Sequence, residues 1–109
     1  MIIGNIPIGV TDWSKVHAAE HPDDLGHGLG RTCQFNDIRE RMVEYSPSCI
    51  ADHWCKNGHI LLVLEGELET ILPDGQIFLL QPGMSYQVQN DGEAHRSSTK
   101  TGVKLFMVK

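Results

Sequence analysis

An all-β sandwich or barrel is the fold class this 109-residue sequence predicts, and three observations point to it. Strand-length segments follow one another from residue 32 onward with no helical period, the gaps between them are turn residues, and two segments indicate which of their faces is buried. The segments are TCQF, IRERMVEY, IADHWC, HILLVLEG, ELETIL, QIFLL, SYQVQ, HRSST and VKLFMV, separated by ND, SPS, KNG, PDG, QPG, NDGE and KTG. Each separator supplies a residue that tolerates positive φ or fixes a bend. A chain of this length holds one domain around one core.

Residues 1 to 30 show no sustained period and are expected to form a mostly irregular arm packing on a barrel of residues 31 to 109. TDWSKVHAAEHPDD can start a short helix capped by Thr11 or Asp12, and Pro22 stops it. His17, His21 and His27 in this arm read as solvent-exposed. In IRERMVEY, Arg39, Arg41, Val43 and Tyr45 share one face, and Ile38, Glu40, Met42 and Glu44 the other. Were the first face inward, its arginines would meet a substrate carboxylate through a bidentate pair, with Arg41 the pocket candidate; arginines on an open sheet surface are the plainer reading. MSYQVQN alternates Met84, Tyr86, Val88 and Asn90 against Ser85, Gln87 and Gln89, which turns Tyr86 inward. ILLVL is apolar at every position, so Ile60, Leu62 and Leu64 need cover as much as Leu61 and Val63 do. The arm or a second copy would supply it, and a homodimer is expected.

Composition excludes several partners. Nine Lys and Arg against fourteen Asp and Glu give a formal net charge of -5, and the cations are scattered, which is no footprint for nucleic acid or an anionic membrane surface. MIIGNIPIGVTDW has neither a basic start nor a long apolar run, and nowhere do about 20 apolar residues follow one another, so a cytoplasmic protein is expected. Cys33, Cys49 and Cys55 are an odd number without a secretion signal, which favours reduced thiols.

DHWCKNGHILLVLEGE, residues 52 to 67, gathers His53, Cys55 and His59. Residues two apart on a strand share a side at roughly 6.5 to 7 Å, so His53 and Cys55 can face one point. A straight strand would carry His59 about 20 Å away, but Asn57-Gly58 suits a tight turn, and an antiparallel return would set His59 opposite Cys55. Two imidazoles and a thiolate resemble a zinc-like ligand set that nickel, copper and iron also accept. The plain reading, a buried cysteine beside hydrogen-bonded histidines, leads on spacing alone.

HWCKNGHILLVLEG and GQIFLLQPGMSYQVQN together resemble the two motifs of the cupin superfamily, over His53 to Gly66 and Gly75 to Asn90. DHWC, GHILLVLEGEL, PGMSYQV and HRSST are further similar to the small DHCW-motif cupin-fold proteins. The resemblance implies a single-domain jelly-roll, or double-stranded β-helix, barrel of the RmlC-like kind. It keeps His53 as the first ligand and places Cys55 at the second histidine, His59 at the glutamate and Tyr86 at the histidine of the second motif. The leading glycine is missing and Gln81 replaces a proline, which weakens the chemical inference more than the fold inference. A two-histidine-one-carboxylate iron site is disfavoured, because Asp52 should point opposite to His53.

The function expected is a small cupin holding a divalent transition metal, zinc first, at His53, Cys55 and His59, together with a small polar molecule lined by Trp54, Tyr86, His95 and Arg41. A metal-free ligand-binding module is the first alternative. The second is a metal-dependent isomerase or lyase in which Tyr86 or His95 moves protons. Cys55 beside His59 is a minor candidate thiol dyad. Whether the protein is an enzyme stays open.

Overall fold

The computed structural model describes residues 2–21, 28–50 and 54–109. Ten strands account for nearly all its regular structure: β1 (Ala19–His21), β2 (Gly28–Phe35), β3 (Ile38–Tyr45), β4 (Cys49–Ile50), β5 (His59–Gly66), β6 (Leu68–Ile71), β7 (Ile77–Leu80), β8 (Ser85–Val88), β9 (Arg96–Thr99) and β10 (Val103–Val108). They form a six-stranded sheet in the order β1-β2-β3-β10-β5-β8 and a four-stranded sheet in the order β4-β9-β6-β7, with every pairing antiparallel. Among the described residues no strand pairing joins one sheet to the other, so the expected closed barrel is corrected to two facing sheets. The reason is local. The chain changes sheets across Gly66 and Glu67, where Gly66 takes φ 78° and a Cβ would lie 2.0 Å from the Gly102 carbonyl oxygen. A bend that sharp interrupts the ladder instead of curving it.

Turn chemistry sets the register. Phe35 pairs with Ile38 across a two-residue turn in which Asn36 has φ 52°, a value that asparagine accepts readily. The PDG and QPG turns close with Leu72 N–H donating to the Gln76 carbonyl at 2.9 Å and Met84 N–H to the Gln81 carbonyl at 2.9 Å.

The core lies between the sheets. Val43, Leu61, Val63, Leu105 and Met107 come from alternate positions of β3, β5 and β10, and meet Leu68, Leu80 and Cys49 of the smaller sheet. Val43, Val63, Leu68 and Leu105 are fully buried, each contributing about 1.5–3 kcal/mol by leaving water.

The outer face of the larger sheet receives the N-terminal arm. A single 3-10 turn at Trp13–Lys15 is capped by Asp12, whose Oδ1 accepts from Ser14 N–H at 3.1 Å. The turn sets the Trp13 ring edge-on to Phe106 at 6.1 Å, and Phe106 is the register partner of Leu62. Arg31 Nε also donates to the Val16 carbonyl at 3.2 Å. Ile60, on the same outer face, remains 55% exposed, so the arm covers only part of the apolar run. Strands begin earlier than the sequence pattern indicates, at Ala19 and Gly28. Pro22, His27 and the 51–53 part of IADHWC lie outside the described residues.

Candidate functional site

At the end of the sandwich where β5 and β9 begin and β8 and β10 end lies a cavity of about 140 Å³. A cavity of that size holds roughly a six-membered ring. Leu61, Leu68, Leu105 and Met107 supply apolar wall, and Cys55, His59, Tyr86, His95, Ser97 and Lys109 line the polar part.

His59 opens β5 and shares its inward face with Leu61 and Val63, hence its burial. Its Nδ1 lies 3.1 Å from the Asn57 carbonyl oxygen, which can only accept, so Nδ1 carries the proton. Nε2 is then an acceptor, and the Tyr86 hydroxyl donates to it at 2.7 Å. Burial lowers the imidazole pKa from 6.5 to about 4, His95 and Lys109 push it the same way, and the Asn57 carbonyl partly opposes them. Burial also lifts the Tyr86 phenol far above its ordinary range, with Ser97 opposing. Both partners are therefore neutral at pH 7.

His95 precedes β9 and is 5% exposed. Its Nδ1 donates to the Glu93 carbonyl oxygen at 3.1 Å, which leaves the Nε2 lone pair buried without a hydrogen-bond partner among the described residues. The His95 ring centroid stands 5.1 Å from that of His59 and 5.8 Å from that of Tyr86.

The turn expected to join Cys55 and His59 is not formed. Neither Asn57 nor Gly58 has positive φ, and Cys55 pairs instead with His95, through Cys55 N–H to His95 carbonyl at 2.8 Å and His95 N–H to Cys55 carbonyl at 3.0 Å. Gly58 is needed for a different reason. Its N–H donates to Asn90 Oδ1 at 2.7 Å, and a Cβ would meet the Asn90 nitrogen at 2.6 Å. Close approach of two backbones, not a hairpin, leads the chain into His59.

Of the expected ligands, His53 lies outside the described residues, while Cys55 and His59 line one cavity. Tyr86 and His95 complete its polar wall. Trp54 stands outside that lining at 41% exposure, with the Arg96 guanidinium carbon 4.8 Å over its ring. Arg41 faces inward beside Val43 and is buried, one strand beyond the cavity-lining Met107. Among the described residues, no three His, Cys, Asp or Glu side chains are grouped so as to hold a metal ion. Lys109 was missed by the sequence reading. The signal was present, because the inward series Val103, Leu105, Met107 continues to it.

No protein-family model matches the sequence, and no curated protein does. Solved structures do match. An RmlC-like cupin from Shewanella frigidimarina superposes with a TM-score of 0.75 at 17% identity, over 94% of this chain and 89% of its own. The chain has the cupin fold. A Thermotoga maritima protein described as a predicted oxalate decarboxylase gives a TM-score of 0.77 at 15% identity over 92% and 96%, and the polyketide cyclase RemF of Streptomyces resistomycificus 0.76 at 20% over 94% and 78%. His59 and Tyr86, which the motif resemblance sets at the glutamate and at the second-motif histidine, touch directly. No helix among the described residues is long and apolar enough to cross a membrane.

Proposed function

We propose that this cupin-fold chain holds a divalent transition ion at Nε2 of His59 and His95, with Tyr86 and Cys55 beside it, and receives a small polar molecule in the same cavity. The observation that carries the reading is the His95 Nε2 lone pair, buried without a partner among the described residues, on a ring whose centroid lies 5.1 Å from that of His59. Both rings have their Nδ1 protons held by backbone carbonyls, the arrangement that fixes the tautomer of metal-binding histidines, and imidazole suits zinc, nickel, copper and iron. His53 remains a further candidate donor. A bound ion would polarise an oxygen of the partner molecule. His59 Nε2 has one lone pair, so an ion there displaces the Tyr86 proton and frees the hydroxyl to donate to that molecule.

One observation favours a metal-free pocket. The His59–Tyr86 hydrogen bond already satisfies both atoms, and His95 Nε2 would then accept a hydroxyl or ammonium proton from the ligand.

Elemental analysis and cobalt titration of untagged protein separate the two. Near one ion per chain, with visible cobalt bands lost in His59→Gln and His95→Gln, is expected. Binding unchanged in both variants, or far below one ion per chain, overturns the metal reading and leaves the metal-free pocket.

A further inference from the structure

We propose that the gap between β7 and β8 is a second chamber of this site, and that it takes the apolar, ring-sized body of an alcohol or phenol whose hydroxyl meets the wall formed by Tyr86 and His95. The inference rests on reading the cavity as a ligand site, narrows that reading to a substrate class, and does not need the ion.

Strand register exposes the gap. β7 and β8 are edge strands of different sheets, joined by the QPG turn and not paired with one another. On β7, Leu80 stands opposite Leu68 and Phe78 opposite Thr70, and directly opposed residues share a face. Leu68, Thr70 and Leu80 are buried, so Phe78 lies on the inner face as well. It is nonetheless 50% exposed. Across the gap, Val88 opposes His59 and Tyr86 opposes Leu61, and both of these partners are buried, which turns Val88 and Tyr86 inward too. A cavity of about 300 Å³ lies here, with Leu72, Phe78, Val88, Tyr86 and His95 in its lining. Tyr86 and His95 also line the 140 Å³ cavity, so the two chambers share that wall.

The lining gives the ligand its chemistry. No Lys, Arg or Asp is among the described residues lining the chamber, and its one acidic residue, Glu93, is exposed. An inward aromatic ring left half in water beside a leucine and a valine is unfavourable until an apolar group covers it. An apolar cavity of roughly half this volume accommodates benzene, so the chamber has room for a six-membered ring and a short substituent. At the shared wall the His95 Nε2 lone pair has no hydrogen-bond partner among the described residues. Without an ion it would accept the proton of a hydroxyl, and with one the ion would bind the hydroxyl oxygen. A few placed polar groups at one end of an apolar pocket are what orients such a molecule.

NMR titration of benzyl alcohol, with myo-inositol as competitor, against metal-free and zinc-loaded protein tests the inference. Benzyl alcohol should bind saturably and shift the amides of residues 76 to 79 and 86 to 88, and myo-inositol, whose ring carries a hydroxyl on every carbon, should not displace it. Covering the exposed half of the Phe78 ring should raise affinity about five- to tenfold, so Phe78→Ala should weaken benzyl alcohol by that factor. Val88→Trp, which fills the chamber, should abolish binding. Phe78→Ala, at a half-exposed position, carries the test where Val88→Trp fails to fold. No saturable binding of benzyl alcohol, displacement by myo-inositol, or wild-type affinity in the folded variants overturns the inference. So does a dimer that Phe78→Ala dissociates, because a second copy would then fill the gap. Benzyl alcohol bound without zinc sinks the metal reading alone, and zinc bound without benzyl alcohol sinks this one alone.

Discussion

Acid should unfold the metal-free protein in part through His59. An unfolded imidazole titrates near 6.5 and the folded ring about 4, because burial disfavours the charged form and His95 and Lys109 add repulsion. Between those values the unfolded chain binds a proton that the folded chain refuses. Stability from this group is therefore complete above about 6.5 and is lost as the pH falls toward 4. The two pKa values give a loss of about 2 kcal/mol at pH 5 relative to pH 7, and about 3 kcal/mol at pH 4. The ring is 8% exposed, so solvent screening removes little of it. His59→Gln keeps an acceptor for the Tyr86 hydroxyl and cannot titrate. Urea unfolding of both proteins at pH 7 and pH 5 isolates the effect, since carboxylates and the remaining histidines contribute to each. Wild type should lose about 2 kcal/mol more than the variant. Equal losses would refute the reasoning, because the ring would then protonate in place at no cost to the fold.

Two further substitutions test the packing that builds the site. Gly58→Ala should cost roughly 2–3 kcal/mol and move the His59 ring resonances, because its Cβ would fall 2.6 Å from the Asn90 nitrogen and 2.9 Å from the Gln89 carbonyl carbon, both backbone atoms; a denaturation midpoint at the wild-type value would show that the loop yields freely. Leu68→Ala, at a position with no exposure on the smaller sheet, should cost about 2–5 kcal/mol by chemical denaturation. A loss below about 1 kcal/mol would mean the sheets do not close over that side chain.

The strands were legible because period-2 alternation and turn residues are local signals. IRERMVEY, HILLVLEG and VKLFMV occupy β3, β5 and β10, and Tyr86 points inward as the alternation of MSYQVQN implies. Early strand content was not legible. β1 is three residues long, and β2 has glycines at two of its inward positions, so neither shows an apolar alternation. The path from Cys55 to His59 was misread for a physical reason: Asn-Gly marks both positive-φ turns and close backbone approach, and only the partner strand decides between them. That partner, Asn90, lies 32 residues away in sequence from Gly58. His95 had no periodic signal, since it precedes its strand and owes its position to backbone pairing with Cys55. Alternation set Arg41 on one face with Val43 and Tyr45 without deciding which way that face turned, and Lys109 was passed over at the end of its strand.

The contrast between the two histidines carries the functional argument. Each ring has its Nδ1 proton tied to a carbonyl two residues earlier, so each is obliged to present an acceptor to the cavity. His59 finds a donor in Tyr86, which burial keeps protonated, and that pair would serve a purely structural role well. His95 finds none among the described residues, and an unsatisfied buried acceptor costs about 1–3 kcal/mol that a leucine of similar volume would not. A rotated ring would not help, since the Glu93 carbonyl would then lose its donor. The orphan is held in place by the backbone bridge between His95 and Cys55. A cavity that presents a surplus acceptor is complementary to an ion or molecule bringing a Lewis acid or a proton. Packing against the core alone does not explain that acceptor.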